Sequence, residues 1–138
     1  MLFKRLERGP IQKVFFVGFL ELHNSNEPIQ GLLCPKIHFR ACLQIFDIST
    51  PTNPTLTATY NTSGNAQSVS VNGNYAYVAD GSSGLHIIDI STPSSPTLTA
   101  TYNIVGYASA VTVRGNYTYV AGGSSGLHII DILNPSSP

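Results

Sequence analysis

The sequence predicts an all-β fold made of short antiparallel strands, and three observations support this prediction. A segment of 42 residues repeats, so that the motifs LQIFDI, LHIIDI and LHIIDI place an aspartate at Asp47, Asp89 and Asp131. The copies align without insertions, which marks the repeat as a structural unit. Within each copy, short apolar or alternating runs are separated by Gly, Pro, Asn and Ser, the pattern of strands and turns.

Each complete copy contains four predicted strands. Proline-rich segments such as STPSSP separate the third strand from the fourth, because proline cannot donate a hydrogen bond to a ladder. Asn72-Gly73 predicts a type I′ hairpin turn between the first and second strands. The nine predicted strands are Leu43–Ile48 and Thr55–Tyr60, then Gln67–Val71, Asn74–Ala79, Leu85–Ile90 and Thr97–Tyr102, then Ser109–Val113, Asn116–Ala121 and Leu127–Ile132.

The third strand is apolar on both faces, because Leu85 and Ile87 lie on one face and Ile88 and Ile90 on the other. A strand of this kind needs a packing partner on each side of its sheet. Sheets of four short strands, repeated every ~40–45 residues and stacked on one another, indicate β-propeller blades. We therefore predict a partial β-propeller of four-stranded antiparallel blades, incomplete at both ends. Nine strands are too few to close a propeller, so the chain would need further blades or self-association.

The repeats divide the chain into two parts. Residues 43–138 hold the third and fourth strands of one blade, one full blade, and the first three strands of another. Residues 1–42 lack the repeat, and they are either foreign sequence after a truncation or frameshift, or a substitute for the two missing strands. Their start resembles a signal peptide in outline, but Glu21 follows the short apolar run Val14–Leu20 and no small-residue cleavage site comes after it. This run is also too short to span a membrane.

Composition excludes one class of partner. Residues 41–138 contain one arginine, Arg114, no lysine and four aspartates. Such a region cannot neutralise many phosphates, so we expect no binding of nucleic acid. A surface rich in Ser, Thr and Asn and poor in Lys is more typical of a secreted or surface-displayed module.

The two cysteines, Cys34 and Cys42, lie at or before the start of the repeats. In an oxidising compartment a disulfide between them would close a small loop. Two cysteines without a CxxC motif or a Cys/His cluster specify little, and the interpretation we favour is two free structural thiols.

The polar residues of the repeats could carry chemistry, but repetition argues for structural roles. His86 and His128 are equivalent, with Gln44 at the same place in the first copy, and this set is a poor zinc site, so we interpret the histidines as polar packing between blades. Asp80 opens a calcium-loop look-alike, DGSSG, but Gly122 replaces it in the copy. Alternate tyrosines are more often packing than a binding surface; here they are Tyr75, Tyr77, Tyr117 and Tyr119.

The repeated aspartates are interpreted as acceptors that fix the following turn, since a catalytic group is needed once and a structural bond once per blade. We expect no catalytic, cofactor-binding or metal-binding residues and no cofactor. The predicted structural repeat positions are Asp47, Asp89, Asp131, Gly73, Gly115, Gly84 and Gly126.

The segments GNYAYVADGSSGLHIIDIS and GNYTYVAGGSSGLHIIDIL resemble the LVIVD repeat, with LHIID at the strand that gives the family its name. The resemblance covers Leu43–Pro138, about two and a quarter repeats by the family's period. It implies a β-propeller of the kind found on bacterial and archaeal surface proteins, and it implies no defined reaction.

The sequence therefore predicts a non-enzymatic surface or extracellular module that serves as a scaffold for binding a protein or glycan. Two alternatives remain: a truncated remnant of a longer propeller protein with no independent function, and a fragment of a propeller enzyme whose catalytic residues lie in missing blades.

Overall fold

The computed structural model describes residues 2–6, 13–18, 42–50 and 52–138. These residues form three antiparallel sheets, and no α-helix occurs among them. The described residues also contain no helix of the length and apolarity that crossing a membrane requires. The all-β prediction is therefore confirmed, and each of the nine predicted strands is present with its ends within one residue of the expected positions.

The second and third sheets are built from the repeats alone. Their strands follow one another in chain order, as expected for a meander. In the third sheet a 3₁₀ turn, Gly123–Ser125, joins its second strand to its third. Sheet 2 contains β5 (Ser68–Asn72), β6 (Tyr75–Ala79), β7 (Leu85–Asp89) and β8 (Thr97–Tyr102), and sheet 3 contains β9 (Ala110–Arg114), β10 (Tyr117–Ala121) and β11 (Leu127–Asp131).

Sheet 1 also has four strands, in the order β1-β2-β3-β4. Two of its strands belong to the repeat: β3 (Cys42–Asp47) and β4 (Thr55–Tyr60). The other two come from outside the repeat: β1 (Leu2–Leu6) and β2 (Lys13–Gly18). Two segments from outside the repeat thus complete a four-stranded sheet.

The register of β1 and β2 is that of the repeat. Lys13 pairs with Asp47 as Tyr75 pairs with Asp89, and Leu2 pairs with Val17 as Ser68 pairs with Ala79. Register within a sheet is set by the strand already in place, so a segment without the repeat motifs can still adopt the repeat's position. The chain therefore has eleven described strands where the sequence predicts nine.

A β-bulge recurs in the fourth strand of sheets 1 and 2. In sheet 1 the register shifts between Ile45 and Phe46, and in sheet 2 it shifts between Ile87 and Ile88. In both cases one residue of the outer strand is passed over, which increases the local twist. The identical position in two copies makes the bulge a property of the repeat.

The turn between β5 and β6 differs from the predicted type I′. Its two loop residues are Gly73 and Asn74, because Asn72 still pairs with Tyr75. A type I′ turn needs positive φ at both loop positions, whereas Gly73 has φ of 56° and no residue other than glycine has positive φ among the described residues. Glycine first, followed by a residue with negative φ, is the pattern of a type II′ turn. Gly115, with φ of 57°, repeats it.

The three sheets stack face against face, and each junction is a separate apolar core. One core joins sheet 1 to sheet 2 and includes Leu43, Ile45, Ile88 and Ile90. The other joins sheet 2 to sheet 3 and includes Leu85 and Ile87 together with side chains of β9, β10 and β11. The prediction that the third strand is buried on both faces is therefore confirmed for β7, where four successive residues from Leu85 are buried.

Cys42 is disulfide-bonded in the structure. The chain's one other cysteine is Cys34, which lies outside the described residues. The interpretation of free structural thiols is therefore wrong for Cys42. The sequence signal was weak because Cys42 stands where Gly84 and Gly126 stand in the later copies, so the repeats carry no second example of the bond.

Candidate functional site

The connections of the meander divide between two ends of the stack. The turns that join second to third strands (80–84 and 122–126) lie at the same end as the loops that join one sheet to the next (61–67 and 103–109). Contacts across this end confirm the placement: the Gly64 amide donates to Asp80 Oδ2 over 2.7 Å, and Gly81 and Ala108 exchange two backbone hydrogen bonds of 3.1 and 2.9 Å. We call these four ranges the loop end. The opposite turn end contains 73–74 and 91–96.

A buried polar cluster lies beneath the loop end of sheet 2. Asp80 is fully buried and His86 nearly so. The imidazole Nε2 of His86 lies 3.5 Å from Asp80 Oδ2 and 3.5 Å from Ser63 Oγ. Burial, together with the nearby Asp80 carboxylate, raises the pKa of Tyr60 at the end of sheet 1. The cluster therefore lies by the junction between the first two sheets.

The geometry of this cluster does not fit nucleophilic catalysis. In a hydrolase triad the hydroxyl and the carboxylate contact opposite nitrogens of the imidazole, so that the ring can relay a proton. Here Ser63 and Asp80 both approach Nε2 of His86, while Nδ1 is buried and has no hydrogen-bond partner among the described residues. The arrangement instead suits a ring whose Nε2 faces Ser63 and Asp80 and helps to fix the turn against the strand.

Sheet 3 repeats the histidine and hydroxyl but not the carboxylate. Ser125 Oγ lies 2.7 Å from Nε2 of His128 and also donates to the Gly122 carbonyl over 3.0 Å. A Cβ at position 122 would come within 2.3 Å of Ser125 Oγ. Ser125 therefore occupies the space in sheet 3 that the Asp80 side chain takes in sheet 2. The two clusters are alternative ways of holding the same turn.

Metal binding finds no support in this region. No group of three or more His, Cys, Asp or Glu side chains is placed to hold a metal ion within the described ranges. The Asp80 carboxylate, considered as a calcium ligand in DGSSG, is turned inward and accepts the amide of Gly64. His86 and His128 lie at the β6–β7 and β10–β11 turns of separate sheets, each beside its own serine.

The repeated aspartates all make the same bond. The Oδ1 atom of Asp47 accepts the amide of Ser49 over 2.8 Å, that of Asp89 accepts Ser91 over 2.7 Å, and that of Asp131 accepts Leu133 over 2.8 Å. These are Asx turns that begin the connection to the fourth strand. The amide hydrogen bonds lower the pKa of Asp47 and of Asp89.

The three aspartate hydrogen bonds lie at exposed positions. Water can replace an exposed partner, so the contribution of each bond is smaller than that of a buried bond. An Asp89→Asn change also keeps an acceptor oxygen and would remove little.

Gly84 and Gly126 occupy the repeat position that is Cys42 in the first copy, and their geometry differs from that of the cysteine. Gly84 and Gly126 both have φ of 78°. At Gly84 a Cβ would lie 2.4 Å from the Tyr102 carbonyl oxygen, because the fourth strand passes directly over the turn, whereas at Gly126 nothing lies within 4 Å. Position 42 does not have positive φ, since no residue other than glycine does among the described residues, and its side chain is free to form the disulfide.

The tyrosines have unequal environments in the two sheets. Tyr77 is buried in the junction between sheets 2 and 3, and this burial raises its pKa, with a smaller effect from Tyr75. Their equivalents in sheet 3 are more exposed: Tyr119 is half-buried and Tyr117 exposed. Packing between sheets, the predicted role, is therefore found for Tyr75 and Tyr77.

Sequence reasoning missed a hydrogen-bonded seam between sheets 2 and 3. Ser68 Oγ accepts the amide of Val111 over 3.3 Å, and Ser70 Oγ accepts the amide of Val113 over 3.0 Å. At the end of the same strand the Asn72 side chain donates to the Gly115 carbonyl over 3.3 Å. The signal available in the sequence was a Ser-Val-Ser-Val run in which only the valines repeat.

The loops that join one sheet to the next differ between the repeats, and three of their four differing positions are exposed or half-buried. Loop 61–67 and its copy 103–109 differ at four of seven positions, whereas the turns 91–96 and 133–138 end in the same four residues. Val105 is 81 % exposed and Tyr107 is 41 % exposed. Tyr107 covers Gly81 and accepts a 3.4 Å hydrogen bond from the Asn65 side chain, so the two unlike loops meet at one surface.

Comparison with known proteins agrees with this structural repeat. The LVIVD repeat matches residues 39–62, 63–104 and 105–138, which follow one another without a gap and cover well over half of the chain. The second match contains the four strands of sheet 2, and the third contains the three strands of sheet 3. No curated protein matches the chain. The resemblance seen in Leu43–Pro138 is confirmed, and the chain belongs to the LVIVD repeat family.

Proposed function

We propose that the protein is a non-enzymatic β-propeller module, displayed outside the cell, whose loop end binds a protein or glycan partner. The observation that carries this proposal is the distribution of differences between the repeats. Residues that turn the chain or fill the junctions are repeated, while the loops 61–67 and 103–109 differ and expose side chains. A scaffold with a constant frame and variable loops is the usual arrangement of a binding module.

The propeller arrangement is supported by the packing of the sheets. Each of the two junctions is apolar, and the seam of serine hydroxyls runs along the first strands. Propeller blades are antiparallel four-stranded sheets packed in this face-to-face order around a central axis.

The non-enzymatic assignment is supported by the polar cluster of sheet 2. Its carboxylate and histidine are buried and are used to hold the Asp80 turn. The extracellular assignment is supported by the disulfide of Cys42 and by the near absence of basic residues in the repeats, since disulfides persist in oxidising compartments.

The loop end can be tested with arrays of immobilised glycans and of extracellular proteins, probed with the labelled full chain. We expect binding to at least one array class by the unmodified chain, and loss of that binding when Val105→Ser and Tyr107→Ala are combined. The matched control is Ser94→Ala, an exposed position at the turn end, which should bind as the unmodified chain does.

Two outcomes would contradict the proposal. Binding that survives the Val105 and Tyr107 changes, or binding to neither array, would remove the loop end as the binding surface. Progressive loss of a glycan from its spot during incubation would contradict the non-enzymatic assignment.

A further inference from the structure

Sheet 3 exposes a face that sheet 2 buries. Leu127 is 65 % exposed and Ile129 is 60 % exposed, whereas Leu85 and Ile87, the same residues at the same strand positions one repeat earlier, are 0 % exposed. The sequence around both pairs is identical, SSGLHIIDI at 82–90 and at 124–132. Two differences separate the pairs: sheet 3 covers sheet 2 on this side, and β7 also pairs with β8, whereas β11 pairs with β10 alone among the described strands. We call this face of β10 and β11 the open face.

The junction between sheets 2 and 3 shows what kind of surface covers such a face. The covering sheet contributes Val111 from its first strand, Val120 from its second, and Ile130 and Ile132 from its third. The residues of sheet 2 at the same repeat positions cover sheet 1 in the same way. They are Val69, Val78, Ile88 and Ile90, and they lie in the core between sheets 1 and 2. A cover for the open face is therefore a sheet with apolar residues at these register positions.

Sheet 1 meets this requirement at the other end of the stack. Its pairing places Phe3 at the register position of Val69 and Phe16 at that of Val78, since Phe3 pairs with Phe16 as Val69 pairs with Val78. Phe46 takes the position of Ile88 in the same way. These register positions correspond to the face with which sheet 2 covers sheet 1 and sheet 3 covers sheet 2.

We propose that the open face of sheet 3 binds sheet 1 of a second copy of this chain, so that two copies close a ring of six sheets. This inference rests on the propeller arrangement proposed above. A twofold axis applies the same contact twice, and both open faces and both first sheets are then covered. Propellers close with about four to eight blades. The three sheets of the described residues fall below this range, three such sets exceed it, and two sets fit.

The first experiment is light scattering of the full chain after size exclusion, over a range of concentrations. We expect a mass twice the chain mass of 14.8 kDa. The Ile129→Asp variant places a charge on the open face and should halve the measured mass. The matched control is Val105→Asp, which puts the same charge at an exposed position of the loop end and should leave the dimer intact. Circular dichroism of both variants should retain the β-sheet spectrum.

A second variant identifies which surface meets the open face. The chain contains no tryptophan, so Phe3→Trp introduces a single fluorophore in the first strand of sheet 1. Its emission should be blue-shifted in the dimer and should move to the red when Ile129→Asp is added, although the two positions lie at opposite ends of the stack.

Each alternative result overturns the proposal. A monomer at all concentrations excludes the contact, and a continuing series of larger species excludes closure. A dimer in which Ile129→Asp leaves the Phe3→Trp emission unchanged shows that sheet 1 does not cover the open face. A dimer that fails to bind any array would contradict the proposed binding function alone, so the two proposals fail separately.

Discussion

At the scale of single residues, backbone geometry decides the role of the repeated glycines. Gly73 and Gly115 need positive φ to turn the hairpin, with no space constraint, since a Cβ would meet nothing within 4 Å. Gly84 combines positive φ with a close approach by the fourth strand, and Gly126 has the same φ without that approach. Comparing Gly84 with Gly126 therefore distinguishes the effect of backbone strain from the effect of crowding by a neighbouring strand.

Gly84→Ala should destabilise the protein more than Gly126→Ala. Both changes force a non-glycine residue into a backbone region that costs about 1–3 kcal/mol. Only Gly84→Ala also requires the Tyr102 carbonyl to move away from a new Cβ at 2.4 Å. Urea unfolding of the two variants measures the difference directly. Equal destabilisation would mean that β8 does not pass over the turn as described.

At the scale of elements, the first strand joins neighbouring sheets through its serines. The Ser70 hydroxyl is fully buried and accepts the Val113 amide. A buried amide that loses its acceptor keeps the cost of its desolvation, about 1–3 kcal/mol. The junction is therefore held by hydrogen bonds as well as by the apolar core.

Ser70→Ala should lower the free energy of unfolding by about 1–3 kcal/mol, because the Val113 amide is left without its partner. Ser94→Ala, at an exposed turn, should lower it by less than about 0.5 kcal/mol. Denaturant titration followed by circular dichroism compares the two. A Ser70→Ala variant as stable as Ser94→Ala would show that the seam contributes nothing to the junction.

The elements also show which parts of the fold follow from local sequence. The two buried faces of β7 were predictable, because alternation of side chains assigns Leu85 and Ile87 to one face and Ile88 and Ile90 to the other. The type of the turn between β5 and β6 was not predictable, because it depends on whether Asn72 is the last residue of the strand or the first residue of the loop. The roles of Ser68 and Ser70 depend on a neighbouring sheet, and such contacts leave no periodic signal within the strand.

At the scale of the whole molecule, the sequence predicted stacked repeat sheets but not the completion of sheet 1. Strands β1 and β2 lack the repeat motifs and take their register from β3, which carries the repeat. The candidate site was predictable only in outline. Repetition favours structural roles for the aspartates and histidines, whereas the disulfide of Cys42 occurs once and has no counterpart to reveal it.

The central claim is that identical repeat sequences have different environments because the sheets are stacked in order. Segments 82–90 and 124–132 are both SSGLHIIDI, so their amides have the same intrinsic exchange chemistry. Strand β7 pairs with β6 and β8, while β11 pairs with β10 alone among the described strands, and this difference remains when a second copy covers the open face. Protection from exchange follows the stability of the local structure.

Hydrogen–deuterium exchange of these two segments, measured by mass spectrometry in one sample, tests the claim most directly. We predict that amides of Leu85–Asp89 exchange more slowly than those of Leu127–Asp131, by about a factor of ten or more. Equal exchange in the two segments, or slower exchange in Leu127–Asp131, would contradict the positions described for β7 inside sheet 2 and for β11 at the edge of sheet 3.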